Sequence, residues 1–447
     1  MRDALKNSRY VILPIAAVAL LAGAEWLHND TAEAPVSAAE WESPGFGPAS
    51  YSAAMARSDS DLSLGKERVS KGPDEWLRHE SLARMYLHRS HLSYTYEDLA
   101  RAGDVLTKAK RLARDGSGPL LTDAAFAQMA HQLDRTQNSL SALDRAAVRS
   151  GPAIMAESLS LKGDVAFYRG DMARARALYD DAAKYGSNAG IAYRYAILAK
   201  SQGKFENAIM HFSDAIPGQG MATPLASASS AMQIGAVELA RGDYRNARAW
   251  FEAANRQFPG FWLIEAHLAQ AKALEGDLAG AITDMKAVAR RAPAGEVLDA
   301  LAMLLRADGQ ARESRLWADK ASAIWEKRVG QLPEAAYGHA VEHELVFGSP
   351  DKALDLAKRN FDARPYGESR ILLASAYLSN GALEEAFKEL ALAERSGWRS
   401  ASLYALLTQA HELSGRPNEA AKARKAAEQL NPKIFEPETS LVWLSHG

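Results

Sequence analysis

From about residue 76 to residue 432 the chain repeats one arrangement: apolar residues three and four apart, then a short break marked by glycine or proline. That spacing puts apolar side chains on one face of a helix. The stretch LKGDVAFYRGDMARARALYDDA, Leu161 to Ala182, shows the unit. Two alanine-rich helical runs meet at Gly170, and a second glycine, Gly163, lies inside the first run. A glycine in a helix interior costs roughly 1 kcal/mol relative to alanine, so both need a reason. Gly170 predicts a turn with a left-handed residue between two helices. Gly163 predicts close approach of the two helix backbones, and Ala175 supplies a matching small residue from the second run.

The same register returns at Gly203 with Ala208, Gly242 with Ala247, Gly276 with Ala281, Gly309 with Ser314, Gly348 with Ala353, Gly381 with Ala386 and Gly415 with Ala420. Two looser units precede these, centred on Ala102 and Ser139. Successive small residues lie about 34 apart, the period of a helix-turn-helix solenoid. The register resembles the tetratricopeptide repeat family over residues 76–432, with small or apolar residues at repeat positions 8, 20 and 27, glycine at 15 and often proline at 32. The resemblance implies an all-α fold: a right-handed α-solenoid of about ten tetratricopeptide-like helix hairpins. In such an array stacked neighbours bury what no single hairpin can. Two intervals are long. One holds Pro217–Ser227, which reads as a loop. The other, around IWEKRVGQLPEAAYG, reads as a lengthened second helix followed by a turn at Pro333.

Ahead of the repeats, Arg2, Lys6 and Arg9 precede an uncharged run from Val11 to Ala24. Fourteen helical residues span roughly 21 Å, short of a hydrocarbon core of about 30 Å. Residues 1–27 therefore read as a signal peptide with a small-residue cleavage site, or as an N-terminal membrane anchor extended to Trp26 and Leu27. In either case the following chain crosses a bacterial inner membrane, which places the solenoid in the cell envelope, periplasmic or anchored with a periplasmic solenoid. Residues 28–75 are rich in Ala, Pro, Ser, Glu and Gly and read as a flexible linker. Residues 433–447 read as a C-terminal tail.

The chain has 447 residues, of which 47% are hydrophobic and 24% charged, and its formal net charge is −2. That balance argues against nucleic acid as a partner. The absence of cysteine removes disulfides, thiol nucleophiles and cysteine-ligated zinc. One short constellation stands out: His339, Glu342 and His343 form H-x-x-E-H, the order of ligands and base in inverted zinc metallopeptidases. On a helix the two histidines share a face. This gives the alternative reading, a zinc-dependent hydrolase. Its position on a repeat helix favours a histidine pair satisfied inside the stack, with no metal site and no cofactor. His79, His88 and His91 read as a solvated helix face.

The resemblance also implies a concave groove lined by the first helix of each hairpin. By that register the groove candidates around Gly170 and Gly203 are Asp164, Phe167, Tyr168, Tyr193, Arg194, Ile197 and Lys200. They combine aromatic area with both signs of charge and suit an extended peptide or an amphipathic helix. The family's carboxylate clamp needs lysine and asparagine where this chain has Ser160 and Asp164. The expected function is a non-catalytic scaffold that binds other proteins or peptides, in an envelope machine for secretion, polysaccharide export or assembly. The sequence leaves the oligomeric state open.

Overall fold

The computed structural model describes residues 37–444, apart from 42–44, 115, 147, 187 and 216–222. The N-terminal signal or anchor and most of the Pro217–Ser227 loop lie outside the described residues. Among these there are twenty-one α-helices, a final 3₁₀ turn and no strand. After α1 (Tyr51–Lys71) the helices pair in sequence. Hairpins 1 to 5 are α2 (Trp76–Ser93) with α3 (Tyr96–Leu112), α4 (Leu120–Met129) with α5 (Leu133–Asp144), α6 (Pro152–Tyr168) with α7 (Met172–Ala183), α8 (Ala189–Ser201) with α9 (Phe205–Asp214), and α10 (Pro224–Ala240) with α11 (Tyr244–Gln257). Hairpins 6 to 10 are α12 (Trp262–Leu274) with α13 (Leu278–Arg291), α14 (Gly295–Ala307) with α15 (Ala311–Gln331), α16 (Pro333–Val346) with α17 (Pro350–Ala363), α18 (Gly367–Ser379) with α19 (Leu383–Arg395), and α20 (Ala401–Leu413) with α21 (Pro417–Leu430).

The turn chemistry is that expected from sequence. Gly170 has φ +83°, and the equivalent Gly203, Gly242, Gly276, Gly309, Gly381 and Gly415 are also left-handed. The next residue often caps the second helix: Asp171 accepts from the Arg174 amide at 2.9 Å, and Asp243 and Asp277 do the same for α11 and α13. Gly348 departs from the pattern. Its φ is not positive, and the Glu344 carboxylate reaches across that turn to accept from the Ser349 amide at 3.1 Å.

Each hairpin closes on a small residue. A Cβ on Gly163 would lie 2.3 Å from a ring carbon of Tyr179, and one on Gly235 would lie 2.5 Å from a ring carbon of Phe251. Ala175, Ala208, Ala247, Ala281, Ala353 and Ala386 are wholly buried. The lengthened helix is α15, with 21 residues. Pro333 then opens α16 directly and makes no separate turn.

Two segments differ from the sequence expectation. Part of the expected linker is α1, which packs on α2 through Ala54, Ser58, Leu62 and Gly65. A Cβ on Gly65 would meet the Met85 sulfur at 2.6 Å, so small residues again set the approach. Ahead of α1, Trp41 is buried, with its indole N–H donated to the Ser227 carbonyl and its ring against Trp250. The C-terminal tail is also folded, with Ile434, Val442, Trp443 and Leu444 in the interior.

The array winds back on itself. In hairpin 3, Tyr168 meets Tyr366, which precedes hairpin 9, at 5.1 Å between ring centres. In hairpin 4, the Ser201 carbonyl accepts from the Arg399 amide ahead of hairpin 10 at 2.8 Å. In hairpin 5, Tyr244 meets Thr439, hydroxyl to hydroxyl, at 2.9 Å. The partner lies six hairpins later in each case, counting the tail as the place of an eleventh.

Leucine at Ala247 overpacks the α10–α11 contact and lowers stability by roughly 1–3 kcal/mol. Leucine at the exposed Ala279 of α13 changes stability by no more than about 0.5 kcal/mol. Urea denaturation of both variants checks the pair.

Candidate functional site

The structure gathers six of the seven groove candidates around one cavity. Asp164, Phe167, Tyr168, Tyr193, Arg194 and Ile197 line it together with Gln128 and His131. Its volume is about 40 Å³, room for a few waters and not for a peptide. Phe167 and Tyr168 are buried against Trp398 and Tyr366 from the far end of the chain. The first-helix face at this point is thus covered by the chain's own later hairpins.

The charges there pair with one another. The Arg194 guanidinium donates to both Asp164 oxygens at 2.9–3.0 Å and to Glu157 at 3.3 Å. Tyr179 donates to the same Asp164 carboxylate at 2.9 Å. All of this is inside the stack, so removing Arg194 would strand two carboxylates, a loss of about 3–5 kcal/mol for a buried pair. Arg194 and Asp164 hold α8 to α6.

Lys200, the seventh candidate, faces Glu368 across the seam between α8 and α18. Burial, reinforced by the nearby Glu342 carboxylate, pushes the Glu368 carboxyl up to about 8, with Lys200 opposing. Burial likewise lowers Lys200 to about 8. Among the described residues neither Glu368 oxygen has a hydrogen-bond partner, so no hydrogen bond offsets the cost of charging this carboxyl in the interior.

The H-x-x-E-H residues lie in the core of hairpins 7 and 8. His343 Nδ1 is 2.7 Å from Asp299 Oδ1, and Asp299 also accepts from the Trp325 indole at 2.8 Å. His339 Nδ1 is 3.1 Å from Glu342 Oε2, and its ring stacks on Trp325. Burial opposes the charged form of His339, but the Glu342 and Glu296 carboxylates outweigh it and raise the pKa. Each histidine therefore has its own carboxylate, and the two do not converge. Among the described residues no group of three His, Cys, Asp or Glu could hold a metal ion. The hydrolase reading gains no support. His79 departs from the expected solvated face: it is buried, 2.8 Å from the Pro73 carbonyl.

A second inner surface was not marked in the sequence reading. The 3₁₀ turn Pro437–Leu441 rests on α12 and α14, both first helices of their hairpins. Beyond it, Gln270 of α12 holds the main chain of the tail. Its Oε1 accepts from the Trp443 amide at 2.7 Å and the Leu444 amide at 2.6 Å. Its Nε2 donates to the Leu444 carbonyl at 2.6 Å. Nothing local singles out Gln270 among other helix glutamines. The available signal was the apolar run Leu441-Val442-Trp443-Leu444 beyond the last repeat, which a solvated tail would not carry.

The Glu368 carboxyl gives stability a pH dependence of definite sign. In the fold it keeps its proton up to about pH 8, whereas an unfolded glutamate ionises near 4.5. Between those values the unfolded chain binds fewer protons, so stability falls as pH rises through that window. Glu368→Gln removes this contribution. The variant is expected to gain on the native chain between pH 5 and pH 8, read from urea midpoints at both values; an unchanged difference contradicts a neutral, buried Glu368.

No family model matches the chain, and no curated protein matches it. Solved structures do. A Rap protein complexed with competence and sporulation factor is 14% identical over 71% of this chain and 98% of its own, with a TM-score of 0.42. A tetratricopeptide repeat protein from Parabacteroides merdae is 18% identical over 57% of this chain and 99% of its own, with a TM-score of 0.35. The APC/C hetero-tetramer Cut9-Hcn1 is 11% identical over 88% of this chain and 93% of its own, with a TM-score of 0.34. With ten stacked hairpins, left-handed glycines at nearly every glycine turn and no strand among the described residues, the chain folds as an all-α solenoid of tetratricopeptide-like helix hairpins.

Proposed function

We propose that this chain is a non-catalytic interaction scaffold of the bacterial cell envelope, binding partner proteins or peptides through the inner face of its solenoid. The observation that supports it most is the hold of α12 on residues 443–444, because an inner helix already binds extended polypeptide by its main chain. The titratable constellations that suggested chemistry are used up by internal pairs, such as His343 with Asp299 and Arg194 with Asp164. The envelope assignment rests on the basic flank and the uncharged run Val11–Ala24. Residues 1–27 would carry the chain to the inner membrane, as a cleaved signal or as an anchor. Among the described residues no helix is long and apolar enough to cross a membrane. A secretion, polysaccharide export or assembly machine is the setting we propose for the partner.

A phosphatase that is active only after export, fused after residue 35 in a bacterial host, is expected to be active; an inactive fusion contradicts the envelope assignment. Cross-linking the full chain in intact cells is expected to give a defined adduct with a different protein. Recovery of the chain alone contradicts the scaffold.

A further inference from the structure

After hairpin 10 the chain turns at Asn431, whose side chain lies against Gly242. The Tyr244 hydroxyl meets Thr439, and the Lys433 ammonium lies over the Tyr244 ring at 4.6 Å. The backbone is then extended at Val442, with φ −76° and ψ 94°. From there the contacts separate into two kinds. Gln270 hydrogen-bonds only main-chain groups of the tail, two N–H and one C=O, which any extended peptide presents. The side chains of Val442, Trp443 and Leu444 enter the same apolar cluster as α12 and α14, with the Trp443 ring 6.0 Å from that of Phe347 at the end of α16. A backbone clamp beside an apolar seat is how an extended peptide is recognised: main-chain bonds give the hold and pockets give the selectivity.

We propose that the inner face of α12, α14 and α16 is a peptide-binding site whose resident occupant is the chain's own C-terminal segment. It would take an extended partner segment with an uncharged aliphatic–tryptophan–aliphatic run in place of Val442-Trp443-Leu444. This rests on the scaffold reading above and adds the site, the chemistry of the partner and a control. A tethered occupant acts at an effective concentration on the order of millimolar, so a free segment of equal intrinsic affinity displaces it only at a comparable concentration. Partner binding is then gated by release of the tail. A buried extended segment needs partners for its main-chain groups as a cap or as a ligand alike; this clamp makes the hold independent of the tail's side chains, so another extended segment fits it equally. Here a buried glutamine commits all three of these hydrogen bonds to backbone.

The test uses the full-length chain and a fluorescent peptide of residues 437–447, followed by anisotropy. The native chain is expected to leave the peptide unbound at concentrations where Trp443→Ala/Leu444→Ala, with its weakened tail, binds it at least tenfold more tightly. Adding Gln270→Leu to that variant is expected to abolish the gain. A folded double variant, with native helical circular dichroism, that fails to bind the peptide overturns the proposal and makes the tail a permanent cap. Should the double variant not fold, hydrogen exchange on the native chain decides. Trp443 and Leu444 amides that exchange much faster than the α12 amides support an exchangeable tail, and exchange only on global unfolding overturns it. Loss of this site leaves the scaffold standing if the heteromeric adduct of the preceding subsection persists; loss of the adduct with peptide binding intact removes the scaffold and keeps the site.

Discussion

A large ring from one helix lying on a bare stretch of its neighbour's backbone is the contact on which this molecule depends. Tyr179 rests on Gly163 in hairpin 3 and Phe251 on Gly235 in hairpin 5, each leaving no space for a methyl group. In hairpin 4 the fully buried Phe212 falls at the same spacing from the fully buried Ala196. The close approach lets a short hairpin present a flat apolar side to the next one. Because no hairpin hides its own apolar face, the contact is multiplied along the chain and stability becomes a property of the stack. The left-handed glycine found at seven of the turns, and the aspartate cap that follows three of them, serve this contact by fixing how the second helix returns.

Stacking alone would give an open groove. Here the coil is tight enough for hairpins 9 and 10 and the tail to reach hairpins 3, 4 and 5, and the meeting surfaces are of mixed character. Aromatic rings seal one part, Phe167 and Tyr168 against Tyr366 and Trp398. The Glu368 carboxyl, raised by burial, and Lys200, lowered by it, lie in another. Beyond the seam, the inner face of α12 and α14 is covered by a segment of extended chain instead of a helix. The inner surface of the solenoid is therefore divided between self-contact and peptide-like contact, and only the second has the chemistry of a binding site.

Hairpins 3 to 10 were legible in the sequence because each carries glycine at the turn and a small residue five positions on, followed in all but the last by an aromatic or apolar residue four beyond that. The helix α1 was not, since its buried face consists of Ala54, Ser58, Leu62 and Gly65, three of them residues that also fill linkers. Six of the seven groove candidates line one cavity, but aromatic and charged residues at first-helix positions suit a partner or the chain itself equally well. What decided between them, Tyr366 and Trp398, lies about two hundred residues away with no local trace. The H-x-x-E-H spacing was real as a helix face, but its two histidines turn to different carboxylates, His339 to Glu342 and His343 to Asp299.

The closed coil is the claim from which the rest follows, and the absence of cysteine makes it directly accessible. With Gln202→Cys at the turn of hairpin 4 and Arg399→Cys ahead of hairpin 10, a short bismaleimide should join the two thiols within one chain in dilute solution, as the backbone bond between Ser201 and Arg399 requires. A pair that stays unlinked, in a chain whose helical content and melting are native, would mean an open solenoid and would contradict the account.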